Sequence, residues 1–336
     1  MTGYPQLLPV NQVDHFYLGG ERISALRGSS PTGTERRPEE WIGSVTTMAS
    51  DPERGRSRLA DGTLLYDAVT SDPESWLGAD HVKAYGPSTE LLVKLLDAGQ
   101  RLPVHLHPDR AFAGRHLGLP HGKTEAWIVL DADPGARVRL GFARTMRLAD
   151  VRALVDKQDS TALVESLRAL PVRPGDGVLV PAGVPHCIDA GVFVLELQEP
   201  TDLSILLEWA GFAIDGREYG HLGLGFDVAL DALRLDALDD SELDRLVRHG
   251  TRTELLPAAA GPYFRADRVR AGTRIEPGFV VALVTGGTGE LRTGSGDRLD
   301  LGRGDAAVIP YAAGGWWLDG TVEVIACRPP RPGTAS

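Results

Sequence analysis

The spacing of apolar residues predicts a chain dominated by β structure. Residues 1–100 have the composition of strands and loops, as in WIGSVTTMA at 41–49. Further along, EAWIVLDA and RVRLGFA flank the turn-like DPGA, which predicts a β-hairpin. From residue 262 onwards, turn residues separate short apolar runs at the spacing typical of a sandwich or barrel.

Two segments have the periodicity of helices instead. Between residues 147 and 170, leucine, valine and alanine recur at spacings of three and four. Residues 227–249 show a similar pattern with many acidic residues. We interpret these charges as a solvated face, with a partner surface as the alternative.

An internal similarity links two of the β segments. GDGVLVPAGVPH at 175–186 and GDAAVIPYAAGG at 304–315 both run from Gly-Asp through an apolar strand to a proline turn. The first copy ends at His186 and the second at Gly315. We therefore predict two related β units, of which only the first has a potential metal ligand at this point.

These patterns predict the following domain organisation. Residues 1–215 form the first, metal-binding unit, which includes the helical insertion 147–170. A helical linker at 216–255 precedes a second, metal-free unit at 256–330, and 331–336 form a disordered tail.

Composition narrows the class of partner. The chain has 336 residues, of which 42% are hydrophobic, and a formal net charge of −11. The negative charge argues against nucleic acid as a partner, and no apolar run is long enough to span a membrane. We see no signal peptide, and two cysteines are too few for a disulfide framework. The sequence thus predicts a cytoplasmic monomer or homodimer that acts on a small molecule.

The segment LPVHLHPD at 102–109 supplies the first chemical signal. In a strand, His105 and His107 point to the same face and make half a metal site. Glu125 begins an apolar strand, where a carboxylate is unusual unless it faces solvent or binds something. His186 follows a Pro/Gly turn at the start of another strand. A small barrel would bring such positions together on its inner wall.

We predict that these four side chains bind one divalent metal ion. Three imidazoles and a carboxylate suit zinc, which we favour, as well as manganese, cobalt, nickel or iron. Each histidine alone would be interpreted as an ordinary core or surface residue. Cys187 is adjacent to His186 and should therefore point to the opposite face, where we expect it to be buried and inert.

The order of these motifs resembles the cupin superfamily, and more specifically the type I mannose-6-phosphate isomerases in their shorter bacterial form. The resemblance covers most of the first 210 residues and rests on FYLGGERI, LLVKLLDAGQRLPVHLHPD, GKTEAWIVLDADPGA and GDGVLVPAGVPHCIDAGVFVLELQEPTD. It implies a mainly β, double-stranded β-helix (cupin jelly roll) with two cupin units and helical insertions. It also implies a metal-dependent isomerase that interconverts an aldose and a ketose through an enediol.

Three positions depart from the family pattern. The family ligand that resembles a glutamine is His105 here, and a family serine two residues earlier is Pro103. An arginine expected ten residues after Glu196 is Leu206. Leucine cannot bind phosphate or a developing oxyanion as arginine does. We therefore expect an altered sugar or sugar-phosphate substrate that depends less on a phosphate group.

Two further residues are catalytic candidates. Lys123 could bind phosphate or transfer a proton, and Glu196 could position a sugar hydroxyl or act as the base. The alternatives are a solvated loop lysine and an inward glutamate bonded to a neighbouring strand. Arg110 or Arg115 could replace the missing arginine, and Trp209 could stack on a sugar or simply pack near a core.

Two other functions remain open from sequence. Three histidines and a glutamate also occur in cupin dioxygenases, which use a redox-active metal and consume oxygen. A non-catalytic sugar-binding or regulatory cupin would have an inert metal site. Oxygen uptake separates the first alternative from the isomerase.

Overall fold

A computed structural model describes residues 3–29, 36–250 and 252–333. The last three residues of the predicted tail 331–336 lie outside the described residues. No helix within the described ranges combines the length and apolar character needed to cross a bilayer.

The bounds of the elements are as follows. The earlier strands are β1 (Gln6–Leu7), β2 (Gln12–Val13), β3 (Glu39–Ile42), β4 (Leu92–Asp97), β5 (His105–Leu106), β6 (Glu125–Ala132), β7 (Arg137–Phe142), β8 (Leu167–Pro171), β9 (Gly177–Val180), β10 (His186–Ile188), β11 (Val192–Gln198), β12 (Ile205–Leu206) and β13 (Val247–Arg248). The later strands are β14 (Arg265–Val269), β15 (Arg274–Ile275), β16 (Val280–Gly286), β17 (Thr288–Thr293), β18 (Arg298–Gly302), β19 (Ala306–Ile309), β20 (Trp316–Gly320) and β21 (Glu323–Arg328). The α-helices are α1 (Glu21–Arg27), α2 (Leu65–Ser71), α3 (Pro73–Leu77), α4 (Ala79–Tyr85), α5 (Arg110–Leu117), α6 (Leu148–Lys157), α7 (Ser160–Ser166), α8 (Gly216–Tyr219), α9 (Phe226–Ala229) and α10 (Asp240–Leu246). Short 3₁₀ turns lie at Leu230–Ala232, Ala258–Ala260 and Tyr311–Ala313.

The first half of the fold is a pair of antiparallel sheets. Among the described residues, one sheet has the order β13-β9-β6-β11-β4-β3-β2 and the other β12-β5-β10-β7-β8. Their facing surfaces share one apolar core, in which Trp127 and Leu195 of the larger sheet belong with Val138 and Leu140 of the smaller. The prediction of a mainly β architecture is confirmed.

Helices cover the outer face of the smaller sheet. Val151 and Val155 of α6 and Leu163 of α7 belong to one buried cluster with Cys187 on β10. Cys187 therefore points away from the inner face, as strand alternation predicts, and burial raises the pKa of its thiol to about 12. The helical prediction for 147–170 is correct as far as Ser166 but wrong for its last four residues. These join β8 because Leu167 pairs with Phe142 on β7.

The predicted hairpin between EAWIVLDA and RVRLGFA is wrong in its pairing, although both strands form. Strand β6 pairs with β9 and β11, whereas β7 pairs with β8 and β10 in the other sheet. Both edges of β6 are already occupied by partners distant in sequence. The intervening turn, closed by the Ala136 N–H donating to the Asp133 carbonyl, therefore leads from one sheet to the other.

The first hundred residues contain more helix than the sequence pattern predicted. Helix α2 buries Leu65, Ala68 and Val69, which have helical spacing. Asp72 then accepts a hydrogen bond from the Ser75 N–H and caps α3, with Pro73 in the first turn. A capping aspartate followed by proline is a helix-start signal that the interpretation as strands and loops missed.

The acidic segment 227–249 also differs from the predicted continuous helix. It begins as helix and 3₁₀ turn, becomes irregular, and resumes as α10. The interruption lies where the Leu238 N–H donates to the Phe142 carbonyl, so tertiary hydrogen bonds replace helical ones. The segment ends in β13, which pairs with β9.

A second pair of sheets forms the C-terminal half. In the part of the chain that the structure describes, their orders are β1-β19-β16-β21-β14 and β15-β20-β17-β18. The two similar segments each cross between paired sheets, from β9 to β10 and from β19 to β20. Apolar side chains such as Leu291, Ile309 and Trp316 form the second core. Because N-terminal β1 pairs with β19, the domain boundaries near 215 and 255 stay a prediction.

Close packing at Gly177 provides a test of the fold. A Cβ at Gly177 would lie 2.0 Å from the Leu255 carbonyl oxygen, so backbone would have to move. We expect Gly177→Ala to lower the free energy of unfolding by about 2–4 kcal/mol, measured by urea denaturation. In the control Gly114→Ala, within α5, nothing lies closer than 3.8 Å. That change should stabilise the protein by about 0.5–1 kcal/mol, and equal effects of the two substitutions would contradict the packing.

Candidate metal centre

Three histidines meet on the inner face of the smaller sheet. His105 on β5 lies directly opposite His186 on β10. His107 follows two residues after His105 and returns to the same face. All three are buried, and one ring nitrogen from each lies within 4.8 Å of the others. The turn after β9 and the strand β5 thus bring the predicted ligands into one cluster.

Backbone carbonyls orient all three rings in the same way. The Nδ1 atom of each ring lies 2.7–2.8 Å from a carbonyl oxygen; the acceptors are Pro103, Leu203 and Val184 for His105, His107 and His186, respectively. A carbonyl oxygen only accepts, so each Nδ1 must carry the proton. Every Nε2 therefore keeps a free lone pair for a metal ion, an orientation common among metal-binding histidines.

Glu125 approaches this cluster from the facing sheet. Its Oε2 lies 2.9 Å from His107 Nε2, and its Oε1 lies 3.3 Å from His186 Nε2. Glu125 Oε2 and His186 Nε2 are buried without a hydrogen-bond partner among the described residues. Lone pairs at such distances repel unless a cation lies between them. Three nitrogens and one carboxylate fit zinc or a similar divalent metal ion.

The electrostatic surroundings keep His105, His107 and Glu125 in the forms that bind metal. Burial lowers the pKa of His105 well below its usual value and that of His107 to about 3, so both rings are neutral near pH 7. Burial alone would raise the pKa of Glu125, but His107 and Lys123 lower it well below the ordinary value. A metal ion would meet these two neutral imidazoles and an ionised carboxylate.

A row of four side chains crosses the larger sheet beside this centre. Trp127 on β6 lies opposite Glu196 on β11, which lies opposite Lys94 on β4, which in turn lies opposite Trp41 on β3. Directly opposed residues of a sheet project to the same face. Glu125, two residues before Trp127, lies on that face as well.

Hydrogen bonds and charge link this row to the metal centre. The Trp127 indole N–H lies 3.1 Å from Glu125 Oε1 and 3.2 Å from Glu196 Oε2, so it bridges the two carboxylates. Lys94 Nζ lies 3.8 Å from Glu196 Oε1 and 3.3 Å from Glu39 Oε2. The position of Glu196 is therefore set from one side by an indole and from the other by an ammonium group.

Glu39 anchors the far end of the row. It accepts hydrogen bonds from the Tyr17 hydroxyl at 2.5 Å and from the Trp41 indole at 2.8 Å. Burial alone would raise the pKa of Glu39, but the Lys94 ammonium holds it well below the usual range. Burial would likewise lower the pKa of Lys94, but Glu39 and Glu196 raise it above its ordinary value. The two groups are thus held as a buried ion pair.

The buried charges of this cluster do not balance without a cation. The carboxylates Glu39, Glu125 and Glu196 and the ammonium groups Lys94 and Lys123 are each at most 5% exposed. One negative charge is in excess among these side chains when all are ionised, in an interior that penalises unpaired charge. A divalent cation beside Glu125 would offset it.

Lys123 is buried rather than a solvated loop residue. Its Nζ lies 3.2 Å from His107 Nε2 and 3.3 Å from Glu125 Oε2. The next backbone N–H, of Thr124, donates to Glu199, whose carboxylate also pairs with Arg110. This clamp fixes the segment that carries Lys123 and Glu125. The ammonium group is in reach of any molecule bound in front of the ligands.

Burial is the largest cause of an unusual pKa at Glu196. Together with the neighbouring Glu125 charge, it raises the pKa of this carboxyl to about 8, against an ordinary value of 4.5. A cation bound at Glu125 would counter that charge and bring the value back down. Glu196 is therefore a group whose proton is exchangeable near neutral pH.

This shift predicts how stability depends on pH in metal-free protein. Between pH 4.5 and about 8, folded Glu196 keeps a proton that the unfolded chain has lost. The stabilisation that protonated Glu196 gives to the folded state is therefore lost as pH rises through that window. Glu196→Gln cannot ionise at this position. The difference between its unfolding free energy and that of the wild type should therefore increase by on the order of 3 kcal/mol from the lower to the upper end of this pH window. Urea unfolding in EDTA at several pH values measures this; exposed Glu276→Gln is the control, and a pH-independent difference would contradict it.

The other sequence candidates lie in different surroundings. Arg110 pairs with Glu199, and Arg115 is exposed on α5. Trp209 stacks on Phe226 at 5.5 Å between centroids, beside the cluster on the outer face of the smaller sheet. Leu206 is buried and lies opposite His105, so it shares the inner face with the metal cluster.

Sequence reasoning missed Glu39, Lys94 and Trp127. A signal was present for the lysine, because LLVKLL places one charge inside an otherwise apolar strand. The same argument had identified Glu125. The sequence contains no signal for Trp127, because a tryptophan in an apolar strand is usually a core residue.

Comparisons with known proteins agree with this geometry. No family model matches the chain. The chain is 28% identical over 298 residues to the mannose-6-phosphate isomerase of Streptococcus mutans, covering 86% of this chain and 89% of that protein. The mannose 6-phosphate isomerase structure of Bacillus subtilis matches with TM-score 0.73 at 22% identity, over 97% of this chain and 99% of that one. A mannose 6-phosphate isomerase structure bound with zinc and yttrium matches with TM-score 0.71 at 17% identity, over 97% and 100% of the two chains.

The structural matches, which are below 25% identity, bear on the fold alone and confirm the two-unit cupin jelly-roll architecture. The curated relatives align at 25–28% identity along 82–86% of the chain. With motif order, fold and relatives in agreement, the predicted resemblance to the mannose-6-phosphate isomerases is confirmed over most of the chain.

Proposed function

We propose that this protein is a metal-dependent isomerase that interconverts an aldose and a ketose of a sugar or sugar phosphate. One observation carries the proposal: three carbonyl-oriented histidines direct free Nε2 lone pairs towards the Glu125 carboxylate. Two further buried ionisable groups, Glu196 and Lys123, lie beside that set. Sugar-phosphate isomerisation is also the activity in the names of the sequence relatives.

The reaction requires a group that removes a proton from C2 and returns it to C1. When bound, the divalent ion, for which we favour zinc, would polarise the sugar carbonyl and stabilise negative charge on oxygen. We assign the proton transfer to Glu196, because it is a buried carboxyl held beside the candidate metal ligands by the Trp127 indole. Trp127 and Lys94 hold its two oxygens in place.

We assign to Lys123 the binding of a substrate oxygen. Its ammonium group is buried and lies within 3.3 Å of two metal-ligand atoms. A positive charge there stabilises oxyanion character in the substrate during proton transfer. The Thr124–Glu199–Arg110 clamp fixes its backbone.

We also propose that the substrate depends less on phosphate than the family resemblance implies. Leu206 stands on the inner face opposite His105, where the family pattern has an arginine. Pro103 supplies only its carbonyl, which orients His105. Arg110 is already paired with Glu199. Leu206 and Pro103 therefore offer no cationic or hydroxyl donor for a phosphate group, and the Glu199 carboxylate offsets the charge of Arg110.

The deciding experiment is wash-in of solvent deuterium at C2, followed by NMR. Protein loaded separately with zinc, manganese, cobalt or nickel would be given mannose and mannose 6-phosphate in parallel. We expect exchange and ketose formation with both, with a kcat/KM ratio between them below about tenfold. Exchange with the phosphorylated sugar alone would overturn the altered-substrate proposal but keep the isomerase. If neither sugar exchanged deuterium with any of the four metals, the isomerase proposal would be contradicted for these substrates.

A matched pair of variants identifies the base. Glu196→Gln keeps the shape of the side chain and should abolish deuterium exchange while metal binding persists. Glu199→Gln alters a carboxylate of similar burial that holds Arg110 rather than substrate, and some activity should remain. Oxygen uptake by the iron-loaded protein without deuterium exchange would instead favour the dioxygenase alternative.

We further propose that the protein works in the cytoplasm, as a monomer or homodimer. Both cysteines, Cys187 and Cys327, are free and buried, as suits a reducing compartment. Size-exclusion chromatography with light scattering would measure the oligomeric state.

A further inference from the structure

A second concave site lies outside the metal centre. We call it the arginine cleft, and it has a volume of about 500 Å³. Four arginines line it: Arg37, Arg54, Arg56 and Arg58. Its volume falls in the usual range for small-molecule pockets. The proposed isomerase reaction uses none of these residues.

Three of these arginines come from one short segment. In the sequence RGRSRL at 54–59, the intervening Gly55, Ser57 and Leu59 are buried. The Ser57 N–H donates to the Ser44 carbonyl, which ties the segment to the body of the protein. Arg54, Arg56 and Arg58 are less buried than these residues, and all three line the cleft.

The charges in the cleft are unbalanced. Arg37 and Arg54 share one carboxylate, that of Asp14, at 2.8 and 2.7 Å. Arg56 instead lies over the Tyr66 ring, 3.9 Å from its centroid, and Arg58 donates to the Gly62 carbonyl. Neither Arg56 nor Arg58 has a carboxylate partner in the described ranges of the chain.

The excess charge is opposite in sign to that of the whole protein. Glu53 is the carboxylate among the lining residues and Asp14 pairs with two of the arginines, so four arginines are set against two acidic groups. The chain carries a formal net charge of −11, so a local excess of positive charge is not a consequence of overall composition. Clustered guanidinium groups repel each other unless an anion joins them.

The cleft borders the row of four side chains at its outer member, Trp41. A Cβ on Gly55, in the cleft wall, would lie 2.8 Å from the edge of the Trp41 ring. Lys94 lies over the same ring, with Nζ 4.5 Å from the centroid. The cleft is thus a neighbour of the metal centre but has its own lining.

We propose that the arginine cleft binds the phosphate group of a phosphorylated small molecule, independently of the metal centre. Guanidinium groups present paired N–H donors that match phosphate oxygens. Arg56 and Arg58 supply these donors, while Asp14 holds Arg37 and Arg54 in position. The apolar side chains of Val10, Leu59 and Leu64 line the rest of the cleft and can contact the remainder of the ligand.

Calorimetric titration of the zinc-loaded full chain with inorganic phosphate, at constant ionic strength, tests the proposal. We expect Arg56→Gln/Arg58→Gln to weaken phosphate binding at least about tenfold. The control Arg147→Gln/Arg298→Gln removes two exposed arginines elsewhere and should stay within about twofold of the wild type. Lys123→Gln tests the metal centre and should also retain the cleft binding.

Three outcomes would overturn the proposal. The first is that phosphate gives no binding heat beyond that of sodium chloride. The second is that the Arg56/Arg58 double variant binds phosphate with unchanged affinity. The third is that only Lys123→Gln loses affinity for phosphate. If the glutamine variant melts early, Arg56→Lys/Arg58→Lys keeps the charge but removes the paired donors. A loss of phosphate affinity of about threefold or more in this lysine variant supports the proposal, and wild-type affinity contradicts it.

Discussion

His107→Ala is expected to abolish tight zinc binding and to lower the isomerisation rate at least about a thousandfold, equivalent to about 4 kcal/mol of barrier. His107 contributes the Nε2 atom that lies 2.9 Å from Glu125 Oε2. Without that ring, the site keeps two imidazoles and loses the donor that faces the carboxylate. Metal content after dialysis and kcat, measured on the same sample, check the expectation.

The matched control is His116→Ala. His116 packs against Phe112 on α5, with 4.5 Å between ring centroids, and belongs to a different part of the surface. It should keep one equivalent of zinc and nearly all activity. If His107→Ala also retained one zinc and wild-type kcat, the histidine cluster would not be the working metal centre.

Lys94→Met is expected to cost about 3–5 kcal/mol of unfolding free energy, measured by urea denaturation in the presence of zinc. The substitution keeps the approximate volume but leaves Glu39 without its ammonium partner at 3.3 Å. It also removes the positive charge beside Glu196. Breaking a buried pair from one side is costly because the remaining charge has no compensation.

A second substitution separates lost charge from lost packing. In Lys94→Met/Glu39→Gln, the stranded carboxylate at position 39 becomes neutral, and we expect about half of the stability to return. The control Lys157→Met changes an exposed lysine at the end of α6 and should cost less than about 0.5 kcal/mol. A cost below about 1 kcal/mol for Lys94→Met would contradict the buried ion pair.

Activity should fall with stability in Lys94→Met, for a separate reason. Removing the ammonium group raises the pKa of Glu196 further, because Lys94 lowers it in the wild type. The pH at which Glu196 loses its proton should therefore rise. A pH profile of kcat/KM, shifted to higher pH in the variant, would distinguish this effect from simple misfolding.

Much of the candidate metal centre was predictable because its signals are local. Two histidines at i and i+2 share a face in any strand. A carboxylate such as Glu125 at the start of an apolar strand is unusual unless it faces solvent or binds a ligand. The Gly-Asp, strand, proline-turn frame placed His186 at the beginning of the next strand. The structure brings all four side chains into one buried cluster.

Pairing between strands was less accessible to sequence. Both strands of the expected hairpin form, yet they belong to different sheets. A short turn with Pro and Gly is compatible with a hairpin and also with a crossing between sheets. The partners that occupy both edges of β6 lie 49 or more residues away in sequence, counted from Ile128 to Gly177. Such pairing depends on the whole fold rather than on the local pattern.

By itself, the sequence determined the mainly β class, the repeated strand-and-turn frame and the identity of the metal-ligand candidates, because alternation and turn chemistry act over a few residues. Only the tertiary structure decided that Trp127, Glu196, Lys94 and Trp41 form one row, since these residues come from four strands joined through lateral pairing. It also decided which face of the smaller sheet holds Leu206. Lateral register is set by packing of the two sheets against each other, and no local pattern encodes it.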